Sequence, residues 1–450
     1  MPEPLAVDPY VPERGSADWA PTRYDLDVTC SVASNRLTGR AGIGVLPHRP
    51  LTRLSFDLAG LRVSKVTVDG RPARWQHRGA KLHVQTGPAL AAGREVTVEV
   101  RYGGTPRPVR SPWGPVGWEE LTDGILVAAQ PSGACTWFPC NDLAAAKAPF
   151  RVAVTTGSAY LALSSGALVD QRAHGSSTTW VYDQPEPTSP YLVALHVGRY
   201  RTHGLARGPV PIRGVVAPEH RAAFDVAFAR LPAMVEVFTE RFGPYPFSAG
   251  YTVAVCSEPL EIPLEAQGQA VFGTNPLTGD GERLIAHELA HQWFGNSVTL
   301  AKWEDIWLNE GFATYASWLW HEHQSGPETL AYNAMAVYQT IRQYERQAAG
   351  EMRFGVTKQG LLDLFDAALP AEATIASEEV AGLTRLLLAD HPESSVEAMI
   401  AEMPPEDITA AELRQFIRVL NFDRGELSAQ QIWDVATALG VESEYYRYFE

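Results

Sequence analysis

Fourteen residues, ERLIAHELAHQWFG from Glu282 to Gly295, constrain this chain more than any other stretch. Apolar residues recur at helical spacing, and neither Gly nor Pro interrupts before Gly295. On such a helix His287 and His291 stand one turn apart on one face, with about 5–6 Å between their Cβ atoms. Two imidazoles so placed can grip one Zn²⁺ at about 2.0–2.1 Å each. Glu288 adjoins the first of them. It reaches a water on the metal and not the metal itself, which is the position of a general base.

A catalytic zinc takes three protein ligands and leaves one position open. The third is expected from Glu310, which lies 19 residues after His291 within Trp307-Leu308-Asn309-Glu310-Gly311-Phe312-Ala313. The segment that follows, to about His323, is again helical and ends at Gly326-Pro327. Two antiparallel helices joined by a loop of this length bring Glu310 beside the histidines. A histidine six residues after His291 is the other way to complete such a site, but Ser297 stands there. His321 and His323 read as surface residues.

The remainder of the 450 residues supplies the frame. Period-2 alternation marks strands at Lys65–Val68, which runs into the turn pair Asp69-Gly70, and at Glu95–Val100. Shorter strands are expected around Val152–Val154, Thr179–Tyr182 and Tyr191–Val197. Gly204–Pro211 is rich in Gly and Pro and reads as a domain boundary. Beyond it come a helical pattern over 218–242, a strand at Tyr251–Val255, and mostly helix from about 282. Capping-box spacing opens two late helices, at Thr409 with Glu412 and at Ser428 with Gln431.

The four cysteines, Cys30, Cys135, Cys140 and Cys256, match no disulfide framework or zinc ribbon and read as reduced thiols. No apolar run approaches the roughly 18–20 residues of a membrane span. The N-terminus has no basic start followed by an apolar stretch, so a cytoplasmic protein is expected. A net charge of −15 argues against nucleic acid or an anionic membrane as partner and favours ligands bearing an amine.

With these residues in view, HELAHQWFGNSVT followed by WLNEGFATY resembles the M1 family of gluzincin aminopeptidases. Trp137-Phe138-Pro139-Cys140-Asn141-Asp142 with Lys147 is similar to a segment of that family's N-terminal β domain, and Phe242–Pro246 to its FGxYP segment. The resemblance implies an α+β multidomain fold. A β-sandwich-like, saddle-shaped domain over residues 1–205 precedes a thermolysin-like, mainly α-helical zinc catalytic domain over 206–450, without the large C-terminal helical domain of longer members. It implies Zn²⁺ as cofactor and a peptide or amine-bearing small molecule as substrate. It further implies that Glu265, in Ile262-Pro263-Leu264-Glu265-Ala266, holds the substrate's α-amine, and that Gln130 helps to orient it.

The chain departs from the family at three places. The amine-binding loop keeps only its glutamate. Ser317 stands where a glutamate is usual. The tyrosine that stabilises the oxyanion is missing: Ala376 falls at its position, and no tyrosine occurs between Tyr344 and Tyr445. Losing one such donor typically costs about 10²–10³ in kcat. Tyr315, Tyr332 and Tyr338 read as packing residues. The implied function is therefore an aminopeptidase with Glu288 as base. Two alternatives stay open: the same scaffold turned to a dedicated metabolite, peptide or epoxide substrate, or an attenuated zinc-binding protein.

Overall fold

The computed structural model describes residues 5–111, 114–260, 263–277 and 281–348, with isolated positions between 374 and 409. Two compact units divide the chain, residues 1–330 and 331–450. Among the described residues of the second are the end of a helix and the short pair Thr374–Ile375 with Ile408–Thr409. Glu412, Ser428, Gln431 and Ala376 lie outside the described residues.

The first unit begins with β structure. Trp19–Ser31 is the central strand of an eight-stranded sheet, antiparallel to Arg36–Pro47 and parallel to Ala148–Gly157. Alternation sets its two faces: Tyr24, Leu26, Val28 and Cys30 are buried, and the residues between them are less so. Facing residues from neighbouring strands, among them Ile43, Val98, Val100, Val152 and Val154, complete one core. The expected turn at Asp69-Gly70 has both residues in left-handed conformation, φ +47 and +75, as a two-residue hairpin turn requires. The stretch after Ser189 differs from the expected strand. Pro190 starts a single 3-10 turn over Pro190–Leu192, and the strand begins only at Leu195.

Gly204–Pro211 forms the hairpin between Arg201–Arg207 and Pro211–Val216. These strands continue into a four-stranded sheet with Tyr251–Val255 and Gln269–Phe272, the last three strands running parallel. The strand Tyr251–Val255 is buried throughout, as an apolar run covered on both faces should be. Among the described residues five helices have these bounds, in chain order: α1 (Arg221–Ala227), α2 (Leu231–Phe242), α3 (Glu282–Ala290), α4 (Ile306–Ser325) and α5 (Glu328–Ala348). The second core joins this sheet to α2, α3 and α4 through Phe238, Tyr251, Phe272, Leu289, Trp293 and Trp320. Among the described residues no helix is long and apolar enough to cross a membrane.

Candidate active site

The α3 helix buries Ile285, Ala286, Leu289 and Ala290 in the second core. That choice of face fixes where His287, Glu288 and His291 go. The sequence pattern carries the helix to Gly295, but α3 ends at Ala290, with His291 as its cap in helical conformation. The next residues wrap back, so that Trp293 N and Phe294 N both donate to the Ala290 carbonyl. Gly295 closes this turn at φ +115. A Cβ there would meet Asn309 Nδ2 at 3.2 Å and His291 Nδ1 at 3.4 Å, so glycine lets α4 approach the histidine. Glu310 sits one turn inside α4, which begins at Ile306.

Three donor atoms converge as a result. His287 Nε2 lies 3.2 Å from Glu310 Oε2 and 3.1 Å from His291 Nε2, and His291 Nε2 lies 3.7 Å from Glu310 Oε2. Tetrahedral zinc with bonds of about 2.0–2.1 Å separates its ligands by about 3.3–3.4 Å. This donor set therefore fits a zinc ion, and among the described residues it is the one cluster so arranged. His291 Nδ1 donates to the Phe294 carbonyl over 3.1 Å, which turns the Nε2 lone pair toward the other two. Burial lowers the His291 pKa to about 4, leaving a neutral imidazole ready to ligate. Burial would raise the Glu310 carboxyl, but the hydrogen bond from His287 and the electrostatic pull of the two imidazoles outweigh it and hold the pKa low.

Two further carboxylates share the site. Glu288 is 4% exposed, and its Oε2 has no partner among the described residues. Burial pushes its pKa well up, and Glu265 and Glu310 add to the rise. Glu265 is raised to about 7, first by burial and then by the charge of Glu310. A dication among these groups reverses that pressure. Gln130, which follows the strand Gly124–Ala128, lines one small cavity together with Glu265 and Tyr191. Tyr191 packs edge-on against Trp303 with ring centroids 5.0 Å apart. Burial and the charges of Glu265 and Glu310 raise its pKa well above the usual phenol value.

What pins Glu265 is a pair of amides from the turn after α3. Asn296 Nδ2 donates to the Glu265 carbonyl at 2.8 Å and to the Ala266 carbonyl at 3.2 Å. Gln292 Oε1 accepts from Gly268 N at 2.9 Å. Sequence reading did not single out either amide. The available signal was a buried-side Asn and Gln within one turn of a ligand. Lys147, named only by resemblance, donates to the carbonyls of Asn296 and Ser297 and to Thr299 Oγ1. Ser317 turns inward on its own helix and donates to the Thr314 carbonyl. Tyr315, Tyr332 and Tyr338 are exposed, at 43%, 75% and 57%, and are not the packing residues their positions suggested. His321 and His323 are exposed, as expected.

Comparison with known proteins places the chain in a family. The model described as the peptidase family M1 domain matches residues 236–366, and that of the peptidase M1 N-terminal domain matches residues 20–192. Aminopeptidase M1-A of Oryza sativa is 28% identical over 330 residues, 67% of this chain and 37% of its own length. Leucyl aminopeptidase of Saccharolobus solfataricus is 26% identical, covering 58% of this chain and 34% of its own. The chain thus spans about a third of the length of these curated relatives. An M1 zinc metallopeptidase from Deinococcus radiodurans superposes with a TM-score of 0.68 at 25% identity, over 95% of this chain and 96% of that one. A mutant of that enzyme has been solved with a Tyr-Ser-Ala substrate. With both family domains matched in order, the chain belongs to peptidase family M1.

Proposed function

We propose that this chain is a zinc-dependent aminopeptidase, with His287, His291 and Glu310 as metal ligands and Glu288 as general base and acid. Residues 1–205 and 206–450 would be its β and catalytic domains. The observation that carries this reading is the convergence of His287 Nε2, His291 Nε2 and Glu310 Oε2 at separations that suit a zinc ion, with the buried carboxyl of Glu288 and that of Glu265 raised in pKa beside the Glu310 charge. Such a site demands positive charge. A zinc ion on one side and a substrate ammonium on the other supply it.

A bound zinc supplies a Lewis acid and a water acidic enough to attack at neutral pH. The chain's own residues do the rest. Glu265, backed by Gln130, takes the α-ammonium in a charge-assisted pair and so sets one residue between itself and the reacting carbonyl. Glu288 accepts the proton of the attacking water and returns it to the departing amine. Glu288 is 4% exposed, and this burial keeps its basicity high.

The test is turnover of fluorogenic aminoacyl amides by zinc-loaded protein, beside Glu288→Gln with its zinc content measured. Turnover lost in the variant at unchanged zinc content is the expected result. A fully loaded wild type that cleaves none of the panel overturns it. A dedicated substrate is the second reading. It is favoured by the absence of tyrosine between Tyr344 and Tyr445, where the family's oxyanion donor belongs.

A further inference from the structure

The cavity shared by Gln130, Tyr191 and Glu265 has an unusual floor. His196 lies on the strand Leu195–Gly198, which is hydrogen-bonded on both sides, to Gly124–Ala128 and to Leu161–Ser164. Leu195 and Val197 alternate into the first core, and His196 points the other way and lines the cavity. The imidazole is 2% exposed. Neither Nδ1 nor Nε2 has a hydrogen-bond partner among the described residues. Burial lowers its pKa to about 3, so it is neutral, with one N–H donor and one bare acceptor. A buried polar ring with both nitrogens unpaired is uncommon in a native fold and calls for a small polar occupant.

The space beside it agrees. The cavity holds about 20 Å³ for the centre of a water-sized group, above the roughly 10–15 Å³ that one such group needs. The other walls are largely apolar, from Val127, Leu192, Val193 and Leu264. Such a pocket holds one hydroxyl on a short stem. It has no room for a long side chain.

We propose that this cavity is a hydroxyl-binding pocket, in which His196 receives the side-chain hydroxyl of a small N-terminal residue whose amine is held by Glu265. The inference rests on the aminopeptidase reading and adds a substrate class to it: peptides or amides that begin with serine or threonine. The hydroxyl donates to the bare ring nitrogen of His196 and accepts from the amide of Gln130, which lines the same cavity. The same chemistry is open to a resident water, and the experiment separates the two sources.

The experiment compares kcat/KM for near-isosteric pairs of aminoacyl amides, serine against alanine and threonine against valine, on the zinc-loaded enzyme. A preference of about tenfold for each hydroxyl member is expected, the worth of one neutral hydrogen bond. His196→Phe removes the partner, and the ratio within each pair falls to about one. His196→Asn, which keeps a donor and an acceptor, retains part of the preference. Equal rates within each pair in the wild type overturn the proposal and leave the cavity to a water. Failure of every substrate sinks the aminopeptidase reading instead. In that case thermal shift decides the pocket: serinamide should raise Tm more than alaninamide, and equal shifts overturn it.

Discussion

Lys147 Nζ donates to the main-chain carbonyl of Asn296 over 2.8 Å. This one bond ties the β region to the turn that follows the second histidine. Through its side chain, Asn296 then holds the backbone of Glu265. The three acceptors around Lys147 match the three donors of an ammonium. Lys147→Met strands them, at a cost of about 1.5–3 kcal/mol for hydrogen bonds to a charged group. Expected outcomes are a lower Tm and a larger rise in KM than fall in kcat, since the loop proposed to hold the substrate amine loses its backing. An unchanged KM would show that the loop is held without Lys147.

Glu265→Gln tests the amine anchor. Loss of a charge-assisted pair lowers kcat/KM for free-amine substrates by about 10–100-fold. N-acetylated forms of the same substrates, which carry no ammonium, should be unaffected. The ratio between the two is the measurement. A ratio as large in the variant as in the wild type places the anchor elsewhere.

Chelation should abolish turnover and lower Tm, and stoichiometric zinc should restore both, because a ligand bound to the folded state alone stabilises it. Glu310→Ala leaves two of the three converging donors. Its zinc affinity, measured by competition with a chelating dye, should fall by more than the ~10–100-fold that loss of a supporting residue costs. Retained affinity would remove Glu310 from the ligand set.

A pH effect on stability is expected from a second buried carboxyl pair, outside the metal-ligand set. Asp142 is buried beside Asp57, and its pKa is raised to about 7, by burial first and by the charge of Asp57 second. In the unfolded chain an aspartate titrates near 3.9. Between these values the folded state holds the extra proton, so this group favours folding at acid pH, and its contribution is lost as pH rises to about 7. Asp142→Asn keeps an acceptor for the Cys135 N–H and cannot ionise. Its Tm should exceed the wild type's at pH 8, with the gap closing toward pH 4. A gap that widens toward acid contradicts the assignment.

The sequence alone determined the parts that local periodicity controls. The helical repeat around His287 and His291 fixes their common face. The loop length to Glu310 brings the third carboxylate within reach, and alternation marks the sheet strands. The resemblance pointed to Glu265 and Gln130, and the structure brings both to one cavity. Tertiary contacts decided the rest. The Gly/Pro-rich stretch at 204–211 is a hairpin because a partner strand, Tyr251–Val255, lies beside it. The α3 helix stops at Ala290 because Gly295 turns the chain to meet Asn309 of α4. His196, one residue in an apolar strand, has no pattern that marks it. Its meaning comes from the space next to it. Lys147 and Asn296 are 149 residues apart in the chain. Propensity and spacing act over a few residues. A hydrogen bond of that reach exists only once two cores have packed and brought their surfaces together.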